Sequence, residues 1–329
     1  MLSRVANSIY WMSRYVERAE SVARFIEVTL NFILDQPDHD VEQWEPLVRA
    51  TGDEEYFKEN YGDYTAANVQ QFLTFDREYH SSLRTSISNA RENARTVREA
   101  ISSEAWEQLN TFYHFVKNAE RSPENPLDAD FYHEVVQHSY HLNGILDATM
   151  TRDTGWNFAN SGRFLERADK TSRILDVKYF TLLRNVTDVN TTFDDLLWSS
   201  VLRSVSGFEM FRKRYHTLTV ERIVDFLILD SKFPRAVRYS LQQARHSLSE
   251  VAGPVAEFEN EAIKQADSLL DRLDATTARQ IIDGGMHEFV DSLQHSLNAI
   301  GKAAQETYFA LKSFPVTQAQ MQTQTQAPS

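Results

Sequence analysis

The stretch SRYVERAESVARFIEV, residues 13–28, decides the fold class, because its pattern of charges returns at residues 162–177 as GRFLERADKTSRILDV. The second copy lies 149 positions after the first and keeps an arginine, a glutamate, an arginine, an alanine and an acid in one order. Apolar residues fill the positions between the charges at helical spacing. A solvated helix face tolerates many polar residues, so the repeated identity and order of the charges indicate that they have a role.

Helical spacing places the charges of each copy on two neighbouring lines along the helix. On one line an arginine has acids on both sides, and on the next line Arg14 and Arg18 lie one turn apart. Two like charges at this spacing disfavour a helix by a few tenths of a kcal/mol unless an anion lies between them. The charged residues of the two copies are Arg14, Glu17, Arg18, Glu20, Arg24 and Glu27, and Arg163, Glu166, Arg167, Asp169, Arg173 and Asp176.

Three interpretations of these charges are open from the sequence. Exposed ion pairs would contribute about 0–1 kcal/mol each and would not explain the repetition. A buried network between the two helices would use two-pronged bonds from arginine to carboxylate to fix the helix register. In the third interpretation the arginines face a cleft and bind a carboxylate or phosphate. If Glu20, Asp169, Glu27 and Asp176 point outward, the network has fewer carboxylates than arginines and attracts an anion.

The rest of the chain also carries helical periodicity. Its 10 glycines and 8 prolines fall mainly between segments that repeat apolar residues every three or four positions. We therefore predict an all-α protein, a single large multi-helix bundle in which the two copies of the motif pack together as pseudo-equivalent central helices. The predicted helices cover residues 3–34, 41–50, 66–74, 78–101, 104–120, 128–150, 154–185, 193–214, 219–229, 234–250, 255–272 and 285–312.

Turn-forming residues mark the predicted loops, and none of the loops has the composition of a linker between domains. These loops cover residues 35–37, 51–63, 122–126, 151–155, 230–234, 253–254 and 283–285. We expect one helical domain over residues 1–314. The glutamine-rich tail, residues 315–329, lacks core-forming side chains and is predicted to be disordered.

The composition limits the function. The 329 residues are 42% hydrophobic, which is enough for a sizeable core. Neither a run of about 18 apolar residues nor a signal-peptide core occurs, so we expect a cytoplasmic protein with no membrane association. The absence of cysteine excludes disulfides and thiolate chemistry. A net charge of −13 repels phosphate backbones and argues against nucleic-acid binding.

A further polar helix is predicted around residues 89–99, NARENARTVRE. Alanines alternate there with long polar side chains, which suits close helix packing with polar ends meeting across the contact. An ordinary exposed helix has a similar composition and is the alternative. We expect Asn89, Arg91, Asn93 and Arg95 to lie near the repeated charges and to share a ligand-binding or polar network with them.

The sequence lacks the common catalytic motifs. It has no phosphate-binding P-loop, no dinucleotide fingerprint and no nucleophile elbow. Glu134, His138 and His141 share one helical face with a spacing that suits metal ligands. The paired Glu-x-x-His motifs of di-iron bundles do not occur, so we expect these histidines to line an ordinary helix. No metal or other cofactor is predicted.

Several motifs resemble the bacterial alpha-E family. They are NSIYWMSRYVERAE (7–20), NARENAR (89–95) followed by SEAWEQLN (103–110), RDTGW (152–156) with GRFLERAD (162–169), LRSVS (202–206), FLILD (226–230) and FPRAVR (233–238). They follow the family's order, and the resemblance covers essentially residues 1–312. One conservative departure is Ser13, where glycine is common in the family.

The resemblance implies partners for the chain. Family members are typically encoded beside, or fused to, circularly permuted ATP-grasp proteins and transglutaminase-like proteins, which implies a system that makes or modifies peptides through ATP-driven amide bonds. We expect an accessory or scaffold component of such a system, rather than an independent catalyst, with an Arg/Glu network that binds an anionic ligand such as a peptide. One alternative is an enzyme that acts on a peptide or amino-acid-derived intermediate in its own Arg/Glu cleft. The other is a purely structural helical interaction protein.

Overall fold

The computed structural model describes residues 1–35, 40–121, 127–183, 192–256 and 259–310, which form helices joined by short loops. Within these ranges no β-strand occurs, so the all-α prediction is confirmed. The predicted loop at 122–126, residues 36–37 and the predicted tail at 315–329 lie outside the described residues. The α-helices are α1 (Ser3–Asp35), α2 (Asp40–Thr51), α3 (Glu54–Asn60), α4 (Ala66–Phe75), α5 (Leu83–Thr96), α6 (Ser103–Arg121), α7 (Ala129–Thr149), α8 (Thr154–Leu183), α9 (Thr192–Ser204), α10 (Phe208–Arg214), α11 (Val220–Val224), α12 (Val237–Ala256), α13 (Glu261–Asp274), α14 (Ala278–Asp283) and α15 (Met286–Ala304).

The helices form two halves with matching architecture. In the first half, α1 to α7, the long helix α1 packs against α5 and α7, and α6 packs against both of these. In the second half, α8 to α15, the helices α8, α12, α13 and α15 repeat these contacts in the same order. Each half therefore contains a bundle of four helices, and the internal repeat extends well beyond the charged helices.

The two halves meet along α1 and α8, as the repeated motif predicts. These helices approach closely at Gly162, where an added Cβ would lie 2.4 Å from the backbone oxygen of Tyr10. Each half also reaches across the contact, because α2 packs on α8 and α9 packs on α1. The buried apolar residues of both halves belong to one continuous cluster. The repeated charges consequently lie at the centre of the molecule.

A second sequence repeat precedes α5 and α12. FLTFDREYHSSLR (72–84) returns 154 positions later as FLILDSKFPRAVR (226–238). In the first copy Oδ1 of Asp76 accepts hydrogen bonds from the backbone N–H groups at positions 78 and 79. Oδ1 of Asp230 accepts the equivalent bonds from positions 232 and 233. The same aspartate turn therefore leads into the matching helix of each half.

This aspartate turn corrects one predicted helix. The helix predicted over 78–101 begins at Leu83, because the chain before it follows the turn and the Ser82 side chain caps the helix by accepting from the Thr85 N–H group. A short 3₁₀ turn ends it at residues 98–100. The helix predicted over 234–250 likewise begins later, at Val237, after the equivalent turn.

Other boundaries also differ from the predictions. The helix predicted over 193–214 is divided into α9 and α10 at Ser206, whose φ of 51° is incompatible with a helix. The loop predicted over 51–63 contains α3, whose Phe57 is fully buried. The helix predicted from 255 begins at Glu261, where Asn260 accepts two backbone N–H bonds. The short helix α14 lies in a stretch to which no helix was assigned.

Two predicted helices end in wider turns. The segment predicted as 219–229 is α11 followed by a π-helical turn over Asp225–Leu229. The segment predicted as 285–312 is α15 followed by a π-helical turn over Gln305–Phe309. Predicted residues 184–185 and 311–312 lie outside the described part of the chain.

Candidate functional site

The central charges are exchanged reciprocally between α1 and α8. Arg18 donates from Nε and Nη2 to the two carboxylate oxygens of Glu166, at 2.7 and 3.2 Å. Arg167 donates from the same two nitrogens to the two oxygens of Glu17, each at 2.7 Å. Both glutamates are almost fully buried, with 0 to 1% of their surface exposed. Each helix is therefore fixed to the other by two-pronged, charge-assisted hydrogen bonds.

A second pair of arginines repeats six residues, or nearly two turns, further along each helix. Arg24 donates to Glu20 at 2.9 Å, and Arg173 donates to Asp169 at 2.9 Å. Both arginines also reach the other half of the molecule, since Arg24 donates to Oγ of Ser206 at 2.5 Å and Arg173 contacts the carbonyl oxygen of residue 51 at 3.5 Å. The second pair thus follows the same pseudo-twofold arrangement as the first.

The acids flanking these arginines divide into a buried and a partly exposed set. Glu20 and Asp169 are buried, so the outward orientation considered for them in the sequence is wrong. The expectation that the network has fewer carboxylates than arginines depended on that orientation. Glu27 and Asp176 lie further along the helices and are partly exposed. They contact Nδ1 of His133 and of His287, at 3.0 and 2.9 Å, on the equivalent helices α7 and α15.

The two halves differ at the first arginine of the motif. Arg14 donates from Nε to Glu166 at 2.8 Å. Arg163 instead donates to Oδ1 of Asn160 at 2.7 Å and lies 3.7 Å from a carboxylate oxygen of Asp147. Among the described residues its buried Nε has no hydrogen-bond partner. Burial, followed by the nearby charge of Arg167, lowers the pKa of Arg163. The network is therefore only approximately symmetric.

Two cations outside the predicted set complete the network. Arg235 is buried and donates to Glu17 at 3.1 Å and to Glu20. The equivalent position in the first half is Ser81, by the 154-residue offset of the second repeat. On the side of the network next to Ser81, Lys170 of α8 instead donates to Asp169 at 3.1 Å. Arg235 lies in the family-like motif FPRAVR, which is the sequence signal that could have indicated it.

The charged arrangement keeps two of the buried acids, Glu166 and Glu20, ionised. Burial raises the pKa of a carboxyl group, but the charge of Arg18 and other nearby cations outweighs burial and holds the pKa of Glu166 well below its usual range. For Glu20, the charges of Arg235 and Arg24 likewise outweigh burial and lower its pKa to about 2. At neutral pH these carboxylates are hydrogen-bond acceptors and poor proton acceptors.

The polar helix α5 contributes less to this network than expected. Arg91 donates to Oδ1 of Asn110 at 2.8 Å and packs on the ring of Tyr113. Arg95 donates to Glu92 at 2.8 Å on the surface. The expectation that Arg91 and Arg95 approach the repeated charges is therefore corrected, because both face the α6 side or solvent.

Asn89 and Asn93 have different surroundings. Asn89 lines a surface groove together with Arg14 and Arg18. Asn93 is partly buried, and its backbone carbonyl accepts a hydrogen bond from Thr96 at 2.8 Å. Only Asn89 among the four named residues of α5 therefore has a place beside the network.

His138 of α7 forms ordinary packing contacts. The ring of His138 stacks on Phe112, with ring centroids 5.1 Å apart, and its Nδ1 lies 3.1 Å from Nε2 of Gln108. Burial lowers the pKa of His138, although Glu134 acts in the opposite direction. Over the ranges that the structure describes, no group of three or more potential ligands has metal-site geometry.

A cavity of about 160 Å³ adjoins the network on the side of Glu166 and Asp169. Its lining includes four cations of the network, Arg14, Arg18, Lys170 and Arg173. It continues beside a surface groove, since both are lined by Arg14, Arg18, His80 and Asn298. The network is therefore accessible from one side.

No helix in the described part of the chain is both long and apolar enough to span a bilayer.

Comparison with known proteins supports the resemblance found in the sequence. Residues 1–309 match the alpha-E family, described as a predicted alpha-helical domain with a conserved ER motif. Uncharacterized proteins of Mycobacterium bovis and Mycobacterium tuberculosis are 23% identical over 269 residues, which cover 76% of this chain and 30% of each relative. This chain thus spans about 30% of the length of the curated relatives it matches. No solved structure gives a significant match. Glu17–Arg18 and Glu166–Arg167, the residues of the reciprocal exchange, are both Glu-Arg dipeptides, and the chain belongs to the alpha-E family.

Proposed function

We propose that this chain is an accessory or scaffold component of an ATP-grasp-linked system for peptide synthesis or peptide modification. The observation that supports it best is the pairing of the buried acids. Glu17 and Glu166 each accept two-pronged bonds from an arginine of the other helix. A general base works best with a pKa near the operating pH, whereas the pKa of Glu166 is held well below its usual range. These groups suit a rigid core better than proton transfer.

The mycobacterial relatives are much longer than the region that they share with this chain. The matched region covers only 30% of each mycobacterial relative, so those proteins carry much additional chain. From the family's context, the partners are a circularly permuted ATP-grasp protein and a transglutaminase-like protein. In this proposal the Arg/Glu network holds the scaffold together, and its accessible side binds an anionic ligand.

Association and activity test this proposal together. The tagged chain is purified from its native cells, and the ATP-grasp and transglutaminase-like proteins are sought among the bound proteins. ATP-dependent amide formation by the ATP-grasp partner is then compared with and without the chain. We expect association, faster ligation with the chain present, and no ATP hydrolysis by the chain alone. Robust ATP hydrolysis by the purified chain would contradict the proposal. Absence of both partner proteins from the bound fraction, together with a ligation rate that the chain does not change, would also contradict it.

The cavity beside Asp169 favours a second candidate function. An enzyme acting on a peptide or amino-acid-derived intermediate would place its substrate against cations such as Arg14 and Lys170, which line that cavity. Turnover of a peptide by the purified chain, without a partner, would favour this enzyme. Association with partners that survives closure of the cavity would instead favour a purely structural interaction protein.

A further inference from the structure

We propose that the cavity beside Asp169 binds a small carboxylate with an apolar body, namely an α-amino acid or the C-terminal residue of a peptide. Its lining combines cations with apolar side chains and one further acid. The preference for peptide-derived ligands rests on the proposed function, whereas the binding site itself is argued from the lining residues. The ligand class therefore deepens the proposed anionic site.

The cavity lies where the internal repeat is broken. In the second half the guanidinium of Arg235 bridges Glu17 and Glu20, and it is buried there. The equivalent residue of the first half is Ser81, whose short side chain lines the cavity and accepts a hydrogen bond from Arg18 at 3.3 Å. Protein interiors are normally filled at high density. The substitution of a serine at this position therefore leaves space that an arginine fills in the other half.

The charges around the cavity favour an anion. Its lining holds four cations and the carboxylates of Asp53 and Asp169, and Glu166 lies directly behind Arg14 and Arg18. Four positive charges against three negative charges leave one positive charge in excess when His80 is neutral. An arginine has five N–H donors, and Arg173 uses only Nε and Nη1 on protein groups within the described ranges. A ligand carboxylate would neutralise the excess positive charge. It would also accept hydrogen bonds from the N–H groups of Arg173 that these contacts leave unused.

The remaining lining selects a ligand that also has apolar atoms. Val22, Phe25, Leu47 and Leu73 contribute largely buried apolar side chains to the same cavity. Inorganic phosphate has no group that would use these contacts. Asp53, which accepts a hydrogen bond from the Tyr79 hydroxyl at 2.9 Å, adds a carboxylate that suits an ammonium group. An α-amino acid carries all three features.

The size of the cavity agrees with such a ligand. Its volume of about 160 Å³ is close to that of a cavity of roughly 150 Å³ that holds benzene in another protein. The ligand part inside it therefore has roughly six to ten non-hydrogen atoms. The adjoining groove passes Trp11 and Tyr15 of α1 and Lys302 of α15, so a longer chain can continue outward from the cavity. Both a free amino acid and a peptide end fit this geometry.

Calorimetric titration of the purified 329-residue chain tests the ligand class. The probes are L-leucine, L-leucinamide, N-acetyl-L-leucine, the dipeptide L-alanyl-L-leucine and inorganic phosphate. We expect leucine or the dipeptide to bind at least about tenfold more tightly than leucinamide, which lacks the carboxylate, because charge-assisted hydrogen bonds are lost. Tighter binding of the dipeptide identifies a peptide end as the ligand, and tighter binding of leucine identifies a free amino acid. No saturable binding of either, or equally tight binding of leucinamide or phosphate, would overturn the proposal.

Two variants locate the binding in this cavity. The double variant Ser81→Arg with Lys170→Ser copies the pseudo-equivalent site on the other side of the network, where Arg235 and Ser21 occupy these two positions. We expect it to keep the helical circular dichroism and to lose leucine binding. Ser268→Arg, on the exposed face of α13, places an arginine away from the cavity and should bind as the unaltered chain does. Unchanged binding by a folded double variant would place the ligand elsewhere and overturn the assignment.

A milder variant keeps the test decisive if the double variant does not fold. Asp53→Asn keeps an acceptor for the Tyr79 hydroxyl and removes one negative charge from the cavity. It should weaken binding of leucine about tenfold and leave binding of N-acetyl-L-leucine, which has no ammonium group, nearly unchanged. If Asp53→Asn binds leucine as tightly as the unaltered chain does, the assignment of the ligand to this cavity is contradicted. Because these titrations contain no partner protein, their failure is distinguishable from failure of the scaffold proposal.

Discussion

Glu17 and Glu166 illustrate the physical cost of placing charges in a protein core. Each has lost its hydration shell and is compensated by arginines of the other helix. Removing the carboxylate strands buried guanidinium groups, so Glu17→Ala and Glu166→Ala should each destabilise the protein by about 3–5 kcal/mol. Urea unfolding followed by circular dichroism measures this, with the exposed Glu107→Ala on α6 as the control. Equal unfolding midpoints for all three variants would show that the exchange contributes nothing to stability.

Glu20 gives the network a dependence on pH with a definite sign. Arg235 and Arg24, acting against burial, lower its pKa from 4.5 to about 2. A group with a lowered pKa in the folded state stabilises the protein above the unfolded value of 4.5 and loses this contribution as the pH falls towards 2. We expect the free energy of unfolding to fall with decreasing pH over this window, and to fall less steeply in Glu20→Gln. Urea unfolding at several pH values compares the two slopes, and parallel slopes would refute the assignment to Glu20.

The sequence predicted the residues of the exchange better than their surroundings. The shared order of charges was enough to indicate that the motif of α1 meets the motif of α8. It could not show that Glu20 points inward, because one of the two arginines that donate to it, Arg235, comes from the distant turn before α12. The position equivalent to Arg235 in the first half is Ser81, which is uncharged. A comparison of repeated charges therefore does not reveal Arg235. The periodicity of α1 and α8 therefore could not predict the contacts that Arg235 makes with them.

At the scale of the helices, the approach of α1 and α8 depends on a glycine. A Cβ at position 162 would lie 2.4 Å from the backbone oxygen of Tyr10, and backbone atoms cannot move aside easily. Alanine normally stabilises a helix by about 0.5–1 kcal/mol relative to glycine. Gly162→Ala should reverse that sign and destabilise by about 1–3 kcal/mol, as overpacked cores do. Thermal unfolding measures the change.

Gly144 in α7 provides the matched control for this substitution. An added Cβ there meets no atom within 4 Å, so Gly144→Ala should show the ordinary stabilisation of about 0.5–1 kcal/mol. Stabilisation by both alanines would mean that α1 and α8 do not pack as closely as described. Destabilisation by both would assign the effect to the glycines themselves and not to the helix contact.

Helix prediction succeeded where apolar periodicity is long and failed where tertiary contacts or side-chain caps decide. The long helices α1, α7 and α8 lie close to their predicted limits. The seven-residue α3 offers too few turns for a periodic signal, and the buried ring of Phe57 anchors it. The start of α5 depends on the carboxylate of Asp76, which holds a turn in a segment that otherwise has helical periodicity. Such side-chain bonds to the backbone are specific to a few atoms and leave little trace in a hydrophobic pattern.

At the scale of the whole molecule, the duplication was only partly visible in the sequence. The charged motif repeats with an offset of 149 residues and the aspartate turn with an offset of 154, so no single shift aligns both. Apolar positions in the remaining helices tolerate many residues, since cores require volume and pattern more than identity. The structure restores the correspondence through equivalent contacts, from the α1–α5 and α8–α12 pairs to the histidine contacts of Glu27 and Asp176.

Cutting the chain between its halves tests whether they depend on each other. The exposed loop between Thr151 and Arg152 permits fragments 1–151 and 152–329 without interrupting a helix. Each fragment alone would bury Glu17 or Glu166 without the arginines of the other half, or expose the apolar face of α1 or α8. We therefore expect the separate fragments to be poorly folded and the mixture to assemble into a one-to-one complex with the circular dichroism of the intact chain. Size-exclusion chromatography with light scattering measures the assembly, and Glu166→Ala in the second fragment should weaken it. A fragment that unfolds cooperatively on its own, with native helical content, would show that the exchange joins two independent bundles instead of completing one core.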